Sequence, residues 1–283
     1  MDEFWSDLGL HLIEPLGGGP ITQVWHVLDL NTQKHAALKW PQPSEDSFSL
    51  ARRLLAREGE ASRSLHHRSL PRLLQDESSA TTPFLLLKFL NGKSLAFKRL
   101  QGAIWTLPCV IDLIRNAAEG LEILHAAGWV HGDVQPANIM IETSGNTRLI
   151  DLGGAHKEVC IPLPRADDGF PLIGSADYWA PEVCLTNGLG NAPSDVFALG
   201  IVLYELLAER RPWPSGSLRE TIKRHHGDPV APLSSPWCRI PRKLIQLTEA
   251  MISRSPDDRP TATQVVDKLC EISTQFMAKG QAA

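Results

Sequence analysis

No stretch of this 283-residue chain approaches the ~20 consecutive apolar residues that a helix needs to cross a bilayer, so a spanning helix is not expected. The opening, MDEFWSDLGLHLIEPL, is acidic and lacks the basic segment and unbroken apolar core of a signal peptide, which makes a cytoplasmic location the expectation. Cysteine is scarce. Cys109, Cys160, Cys184, Cys238 and Cys270 lie far apart and form no C-x-x-C, which argues against a disulfide framework or a zinc knuckle and predicts buried, reduced thiols for most of them. Histidine occurs in two adjacent pairs, His66-His67 and His225-His226, but neighbouring side chains diverge on a helix or a strand, so neither pair is a good chelator. Internal repeats and low-complexity tracts are absent. Neither sign of charge dominates: the formal net charge of −4 gives no whole-chain reason to expect nucleic acid or a membrane as partner.

What is present is an apolar fraction of 43%, enough for a substantial core in one large domain or two lobes. The first ninety residues alternate short strand-like segments with turns: LHLIEPL into Gly17-Gly18-Gly19-Pro20, then TQVWHVLDL, a turn at Asn31-Thr32, and KHAALKW. A charged helical stretch, SLARRLLAREGEASRSLH, ends before Pro71. FLLLKFL is short and continuously apolar, as a buried strand is, and Asn91-Gly92 breaks it. From about residue 106 the pattern turns helical. VIDLIRNAAEGLEILHAAG spaces its apolar residues by three and four and stops at Gly128. NIMIE and TRLIDL resemble a hairpin around Ser144-Gly145-Asn146, residues 157–173 read as a long loop, and VFALGIVLYELLAE is apolar nearly all round, the mark of a central helix. The expected architecture is α+β: a small β-rich lobe over 1–91, a hinge near 88–92, a larger helical lobe over 92–273, and a flexible tail over 274–283.

Two features of the first lobe suggest phosphate chemistry. In LGGGPITQVW, Gly17 and Gly19 let backbone N–H groups come close to phosphate oxygens, although such glycines also make ordinary hairpins. Lys39 then stands near the end of an apolar strand, where it could pair with phosphate or be a plain surface charge. In the second lobe WVHGDVQPANIM places Asp133 and Asn138 five residues apart, and Asp151 follows in IDLGG. These are hard oxygen ligands of the type that magnesium bound to phosphate needs.

The order of these features, from Leu12 to Leu269, resembles the protein-kinase signature set, and within it the bacterial-type serine/threonine kinases. The resemblance implies ATP and Mg2+ as cofactors. It implies a nucleotide site of Leu16, Gly17, Gly19, Val24, Ala37, Lys39, Leu87, Lys88, Leu90 and Met140, with Leu87 as gatekeeper and Lys88-Phe89-Leu90 as the adenine-binding hinge. Lys39 would hold the α- and β-phosphates with Glu58 as its partner; Asp133 would orient the attacking hydroxyl; Asn138 and Asp151 would hold metal. Glu182 in A-P-E is expected to pair with Arg259, and Asp195 to bind the backbone of the catalytic loop. Ser175 stands where serine/threonine kinases place a threonine that bonds the catalytic Asp, which favours serine or threonine of a protein, this chain included, as acceptor.

Four positions depart from the family pattern. Thr22 replaces the third loop glycine, and Ser62 stands where an apolar residue is usual. Gly132 replaces the arginine that reads a phosphate on the activation loop, and residues 154–174 contain no Ser, Thr or Tyr, so independence from activation-loop phosphorylation is expected. Gln135 replaces a lysine that neutralises charge on the moving phosphate, a change worth ~3 kcal/mol, or roughly a hundredfold in rate. Two other functions stay open: a weak or inactive nucleotide-binding scaffold, suggested by these four positions, and a small-molecule phosphotransferase, whose loop H-G-D-x-x-P-x-N resembles this one. IGSADYWAPE, SDVFALG and Arg259 favour the protein-kinase fold over the latter. The sequence names no regulatory partner.

Overall fold

The computed structural model describes residues 2–157, 176–185, 190–236 and 238–280. A short helix, α1 (Asp2–Asp7), leads into β1 (Leu10–Gly18), β2 (Thr22–Asp29) and β3 (Lys34–Pro41). Helix α2 (Glu45–Ser64) follows, then β4 (Leu73–Asp76) and β5 (Leu85–Lys88). The five strands form one antiparallel sheet in the order β1-β2-β3-β5-β4. The pleat sends Val27, Ala36, Leu38, Trp40 and Leu86 to one face. There they pack with Trp5, Leu10 and Phe84. The Trp5 ring lies 5.0 Å from that of Trp40 and 5.4 Å from that of Phe84, so α1 closes this small core. Neither α1 nor β4 is among the expected elements.

The β1–β2 turn is where backbone freedom matters. Gly18 has φ +155, and a Cβ there would meet the Thr22 carbonyl oxygen at 2.7 Å; Gly17 and Gly19 face open space. The hairpin therefore needs Gly18, while its two neighbours leave room beside the turn.

Beyond Lys88 the chain crosses to β6 (Gly92–Ser94), which pairs with β8 (Ile139–Glu142), itself paired with β9 (Thr147–Leu149). A Cβ on Gly92 would meet the Ile141 oxygen at 2.2 Å, so this crossing depends on a bare backbone. Helix α3 (Leu95–Leu100) and the long α4 (Leu107–Ala126) come next, then β7 (Trp129–Val130), which pairs with β10 (His156–Lys157). Pro108 sits in the first turn of α4, and Gly128, at φ +72, follows its end. The remaining helices are α5 (Pro181–Leu185), α6 (Ala192–Ala208), α7 (Leu218–Gly227), α8 (Arg242–Met251) and α9 (Ala262–Gly280). The core of this half is continuous through Ile114, Leu121, Phe197, Leu203 and Leu269. The fold is α+β, a sheet followed by a helical region.

Helix α6 is buried from Ser194 to Ala208 and starts in a capping box between Asn191 and Ser194. Helix α9 runs to Gly280, past the residue where a tail is expected; its buried stripe is Val265, Leu269 and Ile272, and Phe276 beyond it is exposed. The expectation of buried thiols is corrected: Cys109 and Cys270 are exposed and Cys184 and Cys238 half-buried, because they fall on or near the outer faces of their segments. No helix among the described residues is long and apolar enough to cross a membrane. Residues 158–173 of the expected loop lie outside the described residues.

Candidate active site

Strand β3 carries Lys39 on the face opposite the small aromatic core, beside α2. Its Nζ lies 2.6 Å from Glu58 Oε2 and 2.7 Å from Asp151 Oδ1. Lys39 and Glu58 are buried, whereas the Asp151 side chain is 43% exposed. Burial works against a charged Lys39, but the Asp151 and Glu58 carboxylates outweigh it and hold the lysine protonated. Burial likewise pushes Asp151 up, and the Lys39 charge and hydrogen bond, with the Gly153 amide, bring it below the usual carboxylate range. Asp151 sits at φ +65, and its Oδ1 also accepts from Gly153 N at 3.1 Å. Its Oδ2 accepts from no described residue.

The loop 131–138 is held from below by α6. Asp195 accepts from His131 N at 2.8 Å and Gly132 N at 2.9 Å, and His125 Nε2 lies 2.9 Å from it. Burial raises Asp195, but these hydrogen bonds and the two histidines lower it further, so it stands as a carboxylate anchor. His131 spans the site, with Nδ1 accepting from Asp133 N at 3.2 Å and Nε2 3.2 Å from the Ile150 oxygen. Both Asp133 oxygens are gripped: Gln135 Nε2 donates to Oδ1 and Asn138 Nδ2 to Oδ2, each at 2.7 Å. Burial raises the Asp133 carboxyl, and nearby Asp151 adds to this against His131 and the two amides. A half-buried carboxylate with a raised pKa and a fixed orientation is suited to accepting a proton.

Asn138 Oδ1 and Asp151 Oδ2 are two hard oxygens without a donor among the described residues. No set of three His, Cys, Asp or Glu side chains that could hold a metal occurs among those residues. The donor set therefore fits a magnesium ion that takes its other ligands from phosphate and water, and does not fit an all-protein cage.

Of the expected nucleotide residues, Gly17, Val24, Ala37 and Leu87 lie along the sheet on the Lys39 side, whereas Lys88 is opposite Ala36 on the other face. Gly17 is opposite Val24, Val24 opposite Lys39, and Ala37 opposite Leu87. Leu16 and Lys88 are exposed, Leu87 is buried, and Val24, Ala37, Leu90 and Met140 are half-buried. Met140 enters from the second half, on β8 beside Ser94. Ser175 lies outside the described residues.

Gly132 has φ +75, and a Cβ on it would stand 2.8 Å from the Gly154 oxygen and 3.4 Å from the His156 ring. His156 is buried, with its ring nitrogens 3.2 Å from the Gly154 oxygen and 3.0 Å from the Gly190 oxygen. The place beside the loop where a longer side chain would emerge is already taken.

On the far side, Glu182 meets Arg259 through contacts of 2.5 and 2.8 Å. A larger cluster there is not among the expected site residues. Glu205, 1% exposed, bonds Arg99 Nη1 at 2.6 Å, Arg211 Nε at 2.6 Å and the Tyr178 hydroxyl at 3.0 Å, and Arg211 also meets Asp177. Burial and then Glu205 raise the Tyr178 phenol, which stays neutral. The sequence does hold a signal for this cluster: Glu205 is the one charge between Val196 and Ala208 on a helix apolar nearly all round, and such a carboxylate needs buried partners.

A profile of the protein kinase domain matches residues 10–269. The chain belongs to the protein kinase domain family. Among relatives of this kinase domain, a serine/threonine-protein kinase of Corynebacterium efficiens, drp72, is 30% identical over 209 residues, 71% of this chain and 39% of that protein. PknA of Mycobacterium tuberculosis is 28% identical over 238 residues, 81% of this chain and 54% of its own. PkaB of Streptomyces coelicolor is 33% identical over 171 residues, 57% of this chain and 39% of its own. The kinase domain thus spans about half or less of the length of the curated relatives it matches.

Proposed function

We propose that the chain is a cytoplasmic protein kinase that transfers the γ-phosphate of ATP to serine or threonine hydroxyls of proteins, itself included. The observation that carries this reading is the joint survival of two constellations. Glu58 and Asp151 are each within bonding distance of the Lys39 ammonium, and Asp133 is clamped by Asn138 and Gln135. In this reading Lys39 grips the α- and β-phosphates, and Glu58 keeps its ammonium in place. Asp133 takes the proton of the attacking hydroxyl as the in-line displacement proceeds. Magnesium held by Asp151 and Asn138 would neutralise phosphate charge.

We also propose that activity does not wait on activation-loop phosphorylation. Gly132 offers no cation, the Gly154 oxygen and His156 leave no room for one, and residues 154–174 carry no hydroxyl to modify.

The test is transfer of radiolabel from ATP with Mg2+ to the chain and to a generic protein, wild type beside Asp133→Ala, followed by mapping of the labelled residue. Label on Ser or Thr in the wild type, lost in the variant, is the expected result. Nucleotide binding without transfer under varied metal and substrate would return the chain to a scaffold, and transfer to aminoglycosides or choline but never to protein would make it a small-molecule kinase.

A further inference from the structure

The chain carries 32 acidic residues in 283, yet none falls between Glu77 and Asp112. The same stretch holds Lys88, Lys93, Lys98 and Arg99. Among the described residues the three lysines have no carboxylate at ion-pair distance, although the chain as a whole is negative. Glu142, on the strand paired with β6, is taken by Arg148 at 2.5 Å. This uncompensated positive strip also carries apolar surface. Phe97 is 45% exposed, Leu100 85% and Ile104 85%, and Lys93 Nζ lies 5.4 Å from the centre of the Phe97 ring.

The strip borders the reaction centre. Helix α3 packs on the turn Pro136–Asn138, which belongs to the loop that carries Asp133, and Arg99 ties the same helix to Glu205 and so to Tyr178. A chain segment that brings a hydroxyl to Asp133 from this side passes α3. The carboxylate that could receive a basic side chain there, Glu205, is buried and has its oxygens occupied by Arg99, Arg211 and Tyr178.

We propose that the acceptor segments selected by this site are acidic, and that they run along α3 with Lys93 and Lys98 as the cations that choose them and Phe97 and Leu100 receiving an apolar side chain. This rests on the kinase reading above. The physical basis is complementarity. The surface cations, Lys93 exposed and Lys98 half-buried, attract an acidic segment over about a Debye length and repel a basic one, and the closed Glu205 cluster offers no counter-charge to a basic residue.

The experiment compares serine peptides of equal length with acidic, neutral or basic flanks around one leucine. Two readouts are used: kcat/KM for transfer, and fluorescence-anisotropy binding of the same peptides with the acceptor serine replaced by alanine. The expected result is at least about tenfold preference for the acidic over the basic peptide, carried by KM and weakened by salt, a difference equal to about 1.4 kcal/mol. The Lys93→Glu/Lys98→Glu variant reverses the order, and Leu100→Ser, at a position too exposed to affect folding, weakens binding of the leucine-containing acidic peptide. Equal treatment of acidic and basic peptides, or a preference unchanged in the charge-reversed variant, overturns the proposal while leaving the kinase reading intact. Charge-dependent binding of the alanine peptides with no transfer to any serine peptide supports the surface and overturns the kinase reading. Binding to vesicles of anionic lipid that depends on Lys93 and Lys98, with no peptide preference, overturns the proposal in favour of a membrane surface.

Discussion

Two charge clusters flank the loop 131–138, and they are built in opposite ways. At the sheet side, Lys39 joins Glu58 and Asp151, and the cluster is left open: Asp151 is 43% exposed and keeps an oxygen without a donor among the described residues. At the far side, Glu205 is closed by two arginines and a tyrosine, and Arg211 has Asp177 as well. An open cluster stores electrostatic capacity for a ligand, whereas a closed one has spent its capacity on joining α3, α6 and the segment 176–178. The same residue types thus serve binding in one place and architecture in the other, and the difference lies in how many of their atoms remain unused.

Substitution at each cluster separates the two roles. Asp151→Asn should lower transfer on the order of a thousandfold, as loss of a preorganised charge at a reacting centre does, with little change in the urea midpoint because the side chain is already partly in water. Glu205→Gln should do the reverse. Removing the carboxylate strands Arg99 and Arg211, whose side chains are only about a third exposed, at a cost of about 2–3 kcal/mol in stability. Comparable loss of transfer in both variants, or a stable Glu205→Gln protein, would erase the distinction between the clusters.

How far each cluster was legible in the sequence follows from where its members come from. Asp133 and Asn138 share one loop, so their spacing survives in the linear chain. Lys39, Glu58 and Asp151 are far apart in sequence; the Lys39–Glu58 pair is expected only because the order of features resembles a known family, and the direct contact of Lys39 with Asp151 is not among the expectations. Arg99, Tyr178 and Arg211 come from three separate segments with no shared spacing, so nothing local announces that they converge. Glu205 alone gave a hint, as a single charge on an apolar helix. In the fold, α2, α4 and α6 are readable from their segments, while α1, β4 and the extent of α9 are not. Helix α1 is six residues held by the ring contacts of Trp5, which only tertiary structure supplies. Strand β4 is four residues long, with a register shift between Leu73 and Gln75 and no alternation in burial.

Gln135 lies between the clusters in character as well as in place. Its amide donates to Asp133 Oδ1, so in the proposed reaction it would hold the base but bring no charge to the phosphate. Gln135→Lys restores a cation at a position already adjacent to the reacting groups. Transfer measured at saturating ATP should rise by roughly tenfold, a fraction of what a fully preorganised group supplies. Unchanged or slower transfer would show that Gln135 matters through its hold on Asp133 instead.

The smallest effect concerns the support of the open cluster. Ser62 lies one turn beyond Glu58 on α2, is 1% exposed, and its hydroxyl has no hydrogen-bond partner among the described residues. Ser64, on the same helix, donates to the Ala61 oxygen at 3.0 Å. A buried hydroxyl without a partner bears its full desolvation penalty, so Ser62→Ala should stabilise the protein by about 1 kcal/mol, whereas Ser64→Ala should not. For a chain of this size that is a rise of roughly 2–4 °C in Tm. Because Ala also favours the helix that carries Glu58, transfer should be kept or slightly raised. A fall in Tm on Ser62→Ala would mean that the hydroxyl is satisfied by water in solution, and that the helix behind the open cluster is as well bonded as the closed cluster across the loop.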